Sequence, residues 1–132
     1  MRLSLPSRVL LVDDNLDTRE LYAFALRQAG YEVREAVDAP SAIADAAAHP
    51  PSIVVTDIRM PGDVSAVDLC RYFRSHETQV IVVTGVPDGP EQDAIRRAGC
   101  ALLVMKPYAP DVLCRDVARI LHDDAEPEAS SA

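Results

Sequence analysis

The sequence predicts an α/β domain built on a doubly wound, five-stranded parallel sheet with helices on both faces. Three observations carry this expectation. Short strand-like runs, most of them apolar and β-branched, alternate with stretches of helical periodicity five times without an internal repeat; that alternation is the mark of βα units. The 132 residues suit one domain with one core. Four of the runs end on polar residues that can do chemistry, at Asp13-Asp14, Asp57, Thr84 and Lys106, and open α/β sheets bind ligands at the carboxyl ends of their strands.

In chain order, residues 1–7 are a short lead-in. Arg8–Val12 (RVLLV) reads as a buried strand that ends on Asp13 and Asp14. Asn15 or Asp17 caps the helix that follows, Asp17 and Glu20 having capping-box spacing. Leu21, Ala25 and Ala29 repeat at helical spacing and define an apolar face, widened by Phe24 and Leu26. Gly30 fits the position that closes this helix. Residues 31–36 make a second, shorter strand. Asp38 caps and Pro40 opens an Ala-rich helix running to Ala48, which Pro50 and Pro51 stop.

Residues 53–56 form a third buried strand that delivers Asp57 at its exit, and Pro61 prevents its continuation. After a loop at 62–65, Ala66–Ser75 is a helix burying Ala66, Leu69, Cys70 and Phe73. Gln79–Thr84 is the fourth strand, 86–89 a loop, and Pro90–Ala98 a short helix closed by Gly99. Residues 101–105 are the fifth strand, followed by Lys106-Pro107. Pro110 or Asp111 starts the last helix, with Leu113, Val117, Ile120 and Leu121 on one face. Residues 7–121 thus make the domain and 122–132 an acidic, aperiodic tail. Right-handed crossovers leave few topologies, and the usual one for five such units is the flavodoxin-like order 2-1-3-4-5.

The totals exclude several functions. A net charge of −8 argues against nucleic acid or an anionic membrane as partner. No apolar run is long enough to span a bilayer, and no signal-peptide core opens the chain. The three cysteines (Cys70, Cys100 and Cys114) match no zinc spacing, so reduced thiols and a cytoplasmic location are expected. His49, His76 and His122 are scattered and read as surface residues. Arg96 and Arg97 read as a solvated helix face or, with Tyr108 and Arg115, as a partner surface.

Gathered at one sheet edge, Asp13, Asp14 and Asp57 repel one another, and a hard cation relieves that repulsion. Mg²⁺ suits the site because it binds through one or two carboxylates plus waters and phosphate oxygens. Asp57 is then placed to become an aspartyl phosphate. Thr84 can donate its hydroxyl to a phosphoryl oxygen, Lys106 can neutralise another, and Gly85 leaves room for the group. Without the cation, removing one of the crowded charges, as in Asp57→Asn, is expected to stabilise the fold.

The chain resembles the receiver domain of two-component response regulators. The segments that carry the resemblance are LLVDDN (10–15), VVTDIRMPG (54–62), VVTG (82–85), RRAGC (96–100) and MKPY (105–108), in the family's order and spacing. The resemblance implies that Asp57 is the phosphoacceptor, with Thr84 and Lys106 assisting. It implies Mg²⁺ held by Asp13 (through water), Asp14, Asp57 and the Arg59 carbonyl, and a cis bond before Pro107. It implies a stand-alone response regulator taking its phosphoryl group from a sensor histidine kinase or a histidine phosphotransfer protein, and signalling by altered partner binding. It implies no turnover of an outside substrate. Residues 59 and 86 flank the path of the hydrolytic water, so a bulky Arg59 and an apolar Val86 imply slow loss of the phosphate.

The chain departs from the family pattern at Leu103, where an aromatic switch residue is usual, at Gly85, where alanine is commoner, and at Ala66, where glycine is usual in a loop one residue shorter. Two rival readings are a Mg²⁺ phosphatase with an aspartyl nucleophile and a phosphorylation-independent scaffold. The first expects a second acid two residues past the nucleophile, where this chain has Arg59. The second expects the acidic set or Lys106 to have been lost.

Overall fold

The computed structural model describes residues 7–58, 64–85 and 89–122. Five strands, β1 (Arg8–Val12), β2 (Glu32–Ala36), β3 (Ile53–Asp57), β4 (Gln79–Thr84) and β5 (Leu102–Met105), alternate with five helices. The helices are α1 (Leu16–Gln28), α2 (Ala39–Ala48), α3 (Ala66–Ser75), α4 (Pro90–Ala98) and α5 (Pro110–His122). The sheet is wholly parallel in the order β2-β1-β3-β4-β5, as the alternation predicts.

Period-two alternation along the strands feeds two separate cores. Leu10, Val12, Val54, Val80 and Val82 face α2, α3 and α4, where Leu69, Cys70, Phe73 and Ile95 complete the layer. Val9, Leu11, Ile53, Val55, Ile81 and Val83 face α1 and α5, meeting Leu26, Leu113 and Val117. Leu103 points into the first layer and is only partly buried there. Each face thus has its own helices, and the strand ends between them are left for the site.

Helix ends follow the sequence signals. Asn15, not Asp17, caps α1, its side chain accepting from the Thr18 amide at 2.8 Å. Asp38 and Ser41 form a capping box on α2, as do Ser65 and Asp68 on α3. Gly99, with φ of 100°, ends α4 in the left-handed region. A Cβ there would also collide with the Arg74 side chain.

Two expectations fail. Tyr22, Ala23 and Leu26 are the buried residues of α1, whereas Leu21 is 55% and Phe24 63% exposed and Ala29 faces solvent. Apolar residues surround this helix, so spacing alone does not choose the stripe that meets the sheet. Tyr108, grouped above with Arg96, Arg97 and Arg115, is buried in the second core, while the three arginines are exposed. Of the histidines, His76 and His122 are exposed and His49 is half-buried.

Arg34 of edge strand β2 binds both carboxylate oxygens of Asp45 on α2, at 2.8 and 2.9 Å. That hydrogen-bonded pairing, against a smaller cost of burial, holds the Asp45 carboxyl below its ordinary value of 3.8. A depressed folded value means the pair's contribution is complete above pH 3.8 and disappears as pH falls through the folded value. Asp45→Asn should therefore be less stable than wild type near neutrality, and the two urea midpoints should converge in acid.

Candidate functional site

Parallel register decides which side chains meet at the carboxyl edge. Val12 pairs with Thr56 and Asp57 with Val83, so Asp13 follows β1 directly alongside Asp57. Thr84 pairs with Met105, and the Lys106 amide donates to the Thr84 carbonyl at 2.7 Å, closing β5 onto β4. The Lys106 side chain then reaches across β4, and Nζ donates to Asp57 Oδ2 at 3.0 Å. The Lys106-Pro107 bond is cis. Lys106 and Asp57 are thus in direct contact, and Thr84 ends the strand between them.

The acidic residues divide. Asp13 is buried, its amide donating to the Ala36 carbonyl and its Oδ1 accepting from the Asn15 amide at 2.9 Å. Burial raises the Asp13 carboxyl above its ordinary value, the Asn15 amide opposes that, and the charge of Asp57 adds to the rise. Burial works to lower the Lys106 ammonium, but the hydrogen bond and charge of Asp57 outweigh it and leave it above its ordinary value. Asp14 is exposed at the start of the loop. Arg59 and Val86 lie outside the described residues, as does the acidic tail beyond His122.

Among the described residues no three His, Cys, Asp or Glu side chains converge closely enough to hold an ion alone. The donor set still fits Mg²⁺. It is all oxygen, the two carboxylates of Asp13 and Asp57 face the single ammonium of Lys106, which offsets only one of them, and an ion bound by few carboxylates keeps waters in its shell. Gly85 stands beside Lys106, but an added Cβ would meet its Cδ at an ordinary 3.9 Å, so an alanine would also fit.

Pairing with Lys106 moves the expected relief of repulsion from Asp57 to Asp13. A raised folded value means the charged Asp13 weakens the fold above that value and costs nothing below pH 3.8, where both states are protonated. Asn at 13 retains an acceptor for the Asn15 amide. Asp13→Asn should therefore be more stable than wild type in EDTA at neutral pH, with the gain vanishing in acid; urea melts across pH check this.

Two residues at the site have no sequence signal. Arg19 of α1 donates from Nη1 to the Asp13 carbonyl at 2.7 Å and from Nε to Glu35 at 2.9 Å, tying the acidic turn to β2. Tyr22 lines the same recess as Asp13, Thr56 and Asp57. Its hydroxyl donates to the Tyr108 carbonyl at 2.7 Å, and the Tyr108 hydroxyl donates to Asp116 Oδ2 at 2.6 Å. Burial, then the Asp116 hydrogen bond and charge, push the Tyr108 phenol well above its ordinary range. Burial favours a higher value for Asp116, but hydrogen bonds from Tyr108 and Arg119 prevail and lower it.

No helix among the described residues is long and apolar enough to cross a membrane. Residues 9–118 match the response regulator receiver domain family. The chain is 27% identical over 122 residues to the DNA-binding response regulator MtrA of Mycolicibacterium paratuberculosis, covering 91% of this chain and 54% of the relative. It is 30% identical over 125 residues to the sensory transduction protein RegX3 of Mycolicibacterium smegmatis, covering 94% of this chain and 54% of that one. The chain therefore spans about half the length of these relatives. A CheY-like receiver domain structure from Methanospirillum hungatei superposes with a TM-score of 0.85 at 24% identity, covering 92% of this chain and 98% of that one. A response regulator structure from Chloroflexus aurantiacus gives 0.79 at 29% identity, covering 88% and 98%. The match over most of the chain places this protein in the response regulator receiver domain family.

Proposed function

We propose that the domain accepts a phosphoryl group on Asp57 from a phosphohistidine of a sensor kinase or phosphotransfer protein, in a Mg²⁺-dependent step, and signals through altered partner binding. The observation that carries this reading is the Lys106 ammonium 3.0 Å from the Asp57 carboxylate at the carboxyl edge of the sheet. In the transfer, an Asp57 oxygen forms the new O–P bond as the N–P bond of phosphohistidine breaks and the imidazole leaves. Lys106 moves from the carboxylate to an equatorial phosphoryl oxygen, and the Thr84 hydroxyl donates to another. Mg²⁺, held by Asp13, Asp14, Asp57 and the Arg59 carbonyl, would neutralise developing charge on the phosphoryl oxygens. The domain serves only its own phosphorylation and slow dephosphorylation.

The test is incubation of the protein with a small phosphodonor such as acetyl phosphate and Mg²⁺. Intact mass should rise by one phosphoryl group, fragment mapping should place it at Asp57, and EDTA should prevent it. Labelling at another residue, or steady release of phosphate from small phosphate esters, would overturn this reading.

A further inference from the structure

Resting on the phosphoacceptor reading above, we propose that Tyr22 is a positioning residue for Lys106, and that the hydrogen-bond run Tyr22–Tyr108–Asp116 carries the state of the Asp57 site to α5. Tyr22 is 7% exposed, and its hydroxyl grips the backbone carbonyl only two residues past Lys106. The Tyr22 and Tyr108 rings meet edge to face at 6.4 Å and 71°. On its other side Tyr108 is fixed to Asp116 of α5 at 2.6 Å, and Asp116 also accepts from Arg119 at 3.2 Å. The short segment that carries Lys106 is therefore held at a carbonyl by α1 and at a hydroxyl by α5.

Lys106 changes partner when Asp57 is phosphorylated, because its ammonium leaves a carboxylate oxygen for a phosphoryl oxygen farther out. Any shift of the segment that follows the ammonium pulls Tyr108 along or strains its hydrogen bonds, and buried polar groups are costly to leave without partners. Leu103 offers no comparable route. It belongs to the other layer, beside Val82, and carries no polar atom to exchange. The hydrogen-bonded tyrosines lie in the layer of α1 and α5, so the surface that responds is on that side of the sheet.

The experiment uses the full chain, with acetyl phosphate for rates and beryllium fluoride plus Mg²⁺ for amide NMR shifts. Tyr22→Phe keeps the ring and removes one hydroxyl. Its labelling rate should fall about five- to tenfold, the factor carried by one lost hydrogen bond, and the shifts on α5 should collapse. Asp116→Ala should lose the α5 shifts, and Asp116→Asn, which retains an acceptor oxygen, should restore them. Leu103→Ala should keep them. A Tyr22→Phe protein that labels at the wild-type rate, or α5 shifts lost in Leu103→Ala but kept in Asp116→Ala, overturns the proposal. A wild type that takes no label overturns the phosphoacceptor reading and this proposal together; a labelled wild type matched by Tyr22→Phe overturns this proposal alone.

Discussion

Asp57→Ala should take up no phosphoryl group from acetyl phosphate and Mg²⁺ under conditions that label the wild type once. The carboxylates at this edge are not equivalent. Asp13 is buried and has one oxygen committed to the Asn15 amide. Asp14 is exposed beyond the strand end, where water competes for any incoming group. Asp57 alone among the three has the Lys106 ammonium at hydrogen-bond distance, and its strand pairs with the one that ends on Thr84. A nucleophile needs that arrangement, because transfer is accelerated by charge fixed around the phosphoryl oxygens rather than by carboxylate basicity. Asp57→Asn should behave the same way, since an amide oxygen forms no stable phosphate ester. Intact mass decides, and a full label on Asp57→Ala would move the nucleophile elsewhere.

The fold was legible because its signals are local and redundant. Four of the five strands are apolar runs too short for a helix, the exception being β2 (EVREA), and α2 and α4 have their cap and Gly stop written beside them, at Asp38 and Gly99. The gathering of Asp13, Asp57, Thr84 and Lys106 was legible because a parallel sheet sends every strand end to one edge. What was not legible depends on direction in space. Leu16, Leu21 and Phe24 are exposed on a helix whose buried stripe is Tyr22, Ala23 and Leu26, and both stripes are apolar. Tyr108 turns inward because the Tyr22 hydroxyl and Asp116 await it, partners 86 and 8 residues away. Arg19 binds a backbone carbonyl, and a carbonyl leaves no mark in a sequence.

Lys106→Ala should slow labelling at Asp57 by about 10²–10³-fold, the cost of removing one preorganised donor from developing oxyanion charge. The same substitution should weaken the metal-free fold by about 1–2 kcal/mol. Breaking a fully buried ion pair costs about 3–5 kcal/mol, while an exposed pair contributes about 0–1 kcal/mol. The Lys106 side chain is 34% and that of Asp57 12% exposed, so this pair falls between the limits. Loss of the ammonium leaves Asp57 facing Asp13, whose carboxyl burial and that same neighbour already push upward. The two substitutions at this edge should therefore have opposite signs in EDTA, Asp13→Asn stabilising and Lys106→Ala destabilising. Magnesium supplies the further check. A cation that binds only the native state raises its stability by mass action, and with the lysine charge gone the carboxylates should bind it more tightly. Added Mg²⁺ should then raise the urea midpoint of Lys106→Ala more than that of wild type, while labelling stays slow because the donor to the phosphoryl oxygen is still missing. Equal Mg²⁺ shifts in the two proteins would show that Lys106 and the cation do not share the same charge; recovery of the labelling rate in Mg²⁺ would show that the lysine acts on the carboxylates alone and not on the transferring group.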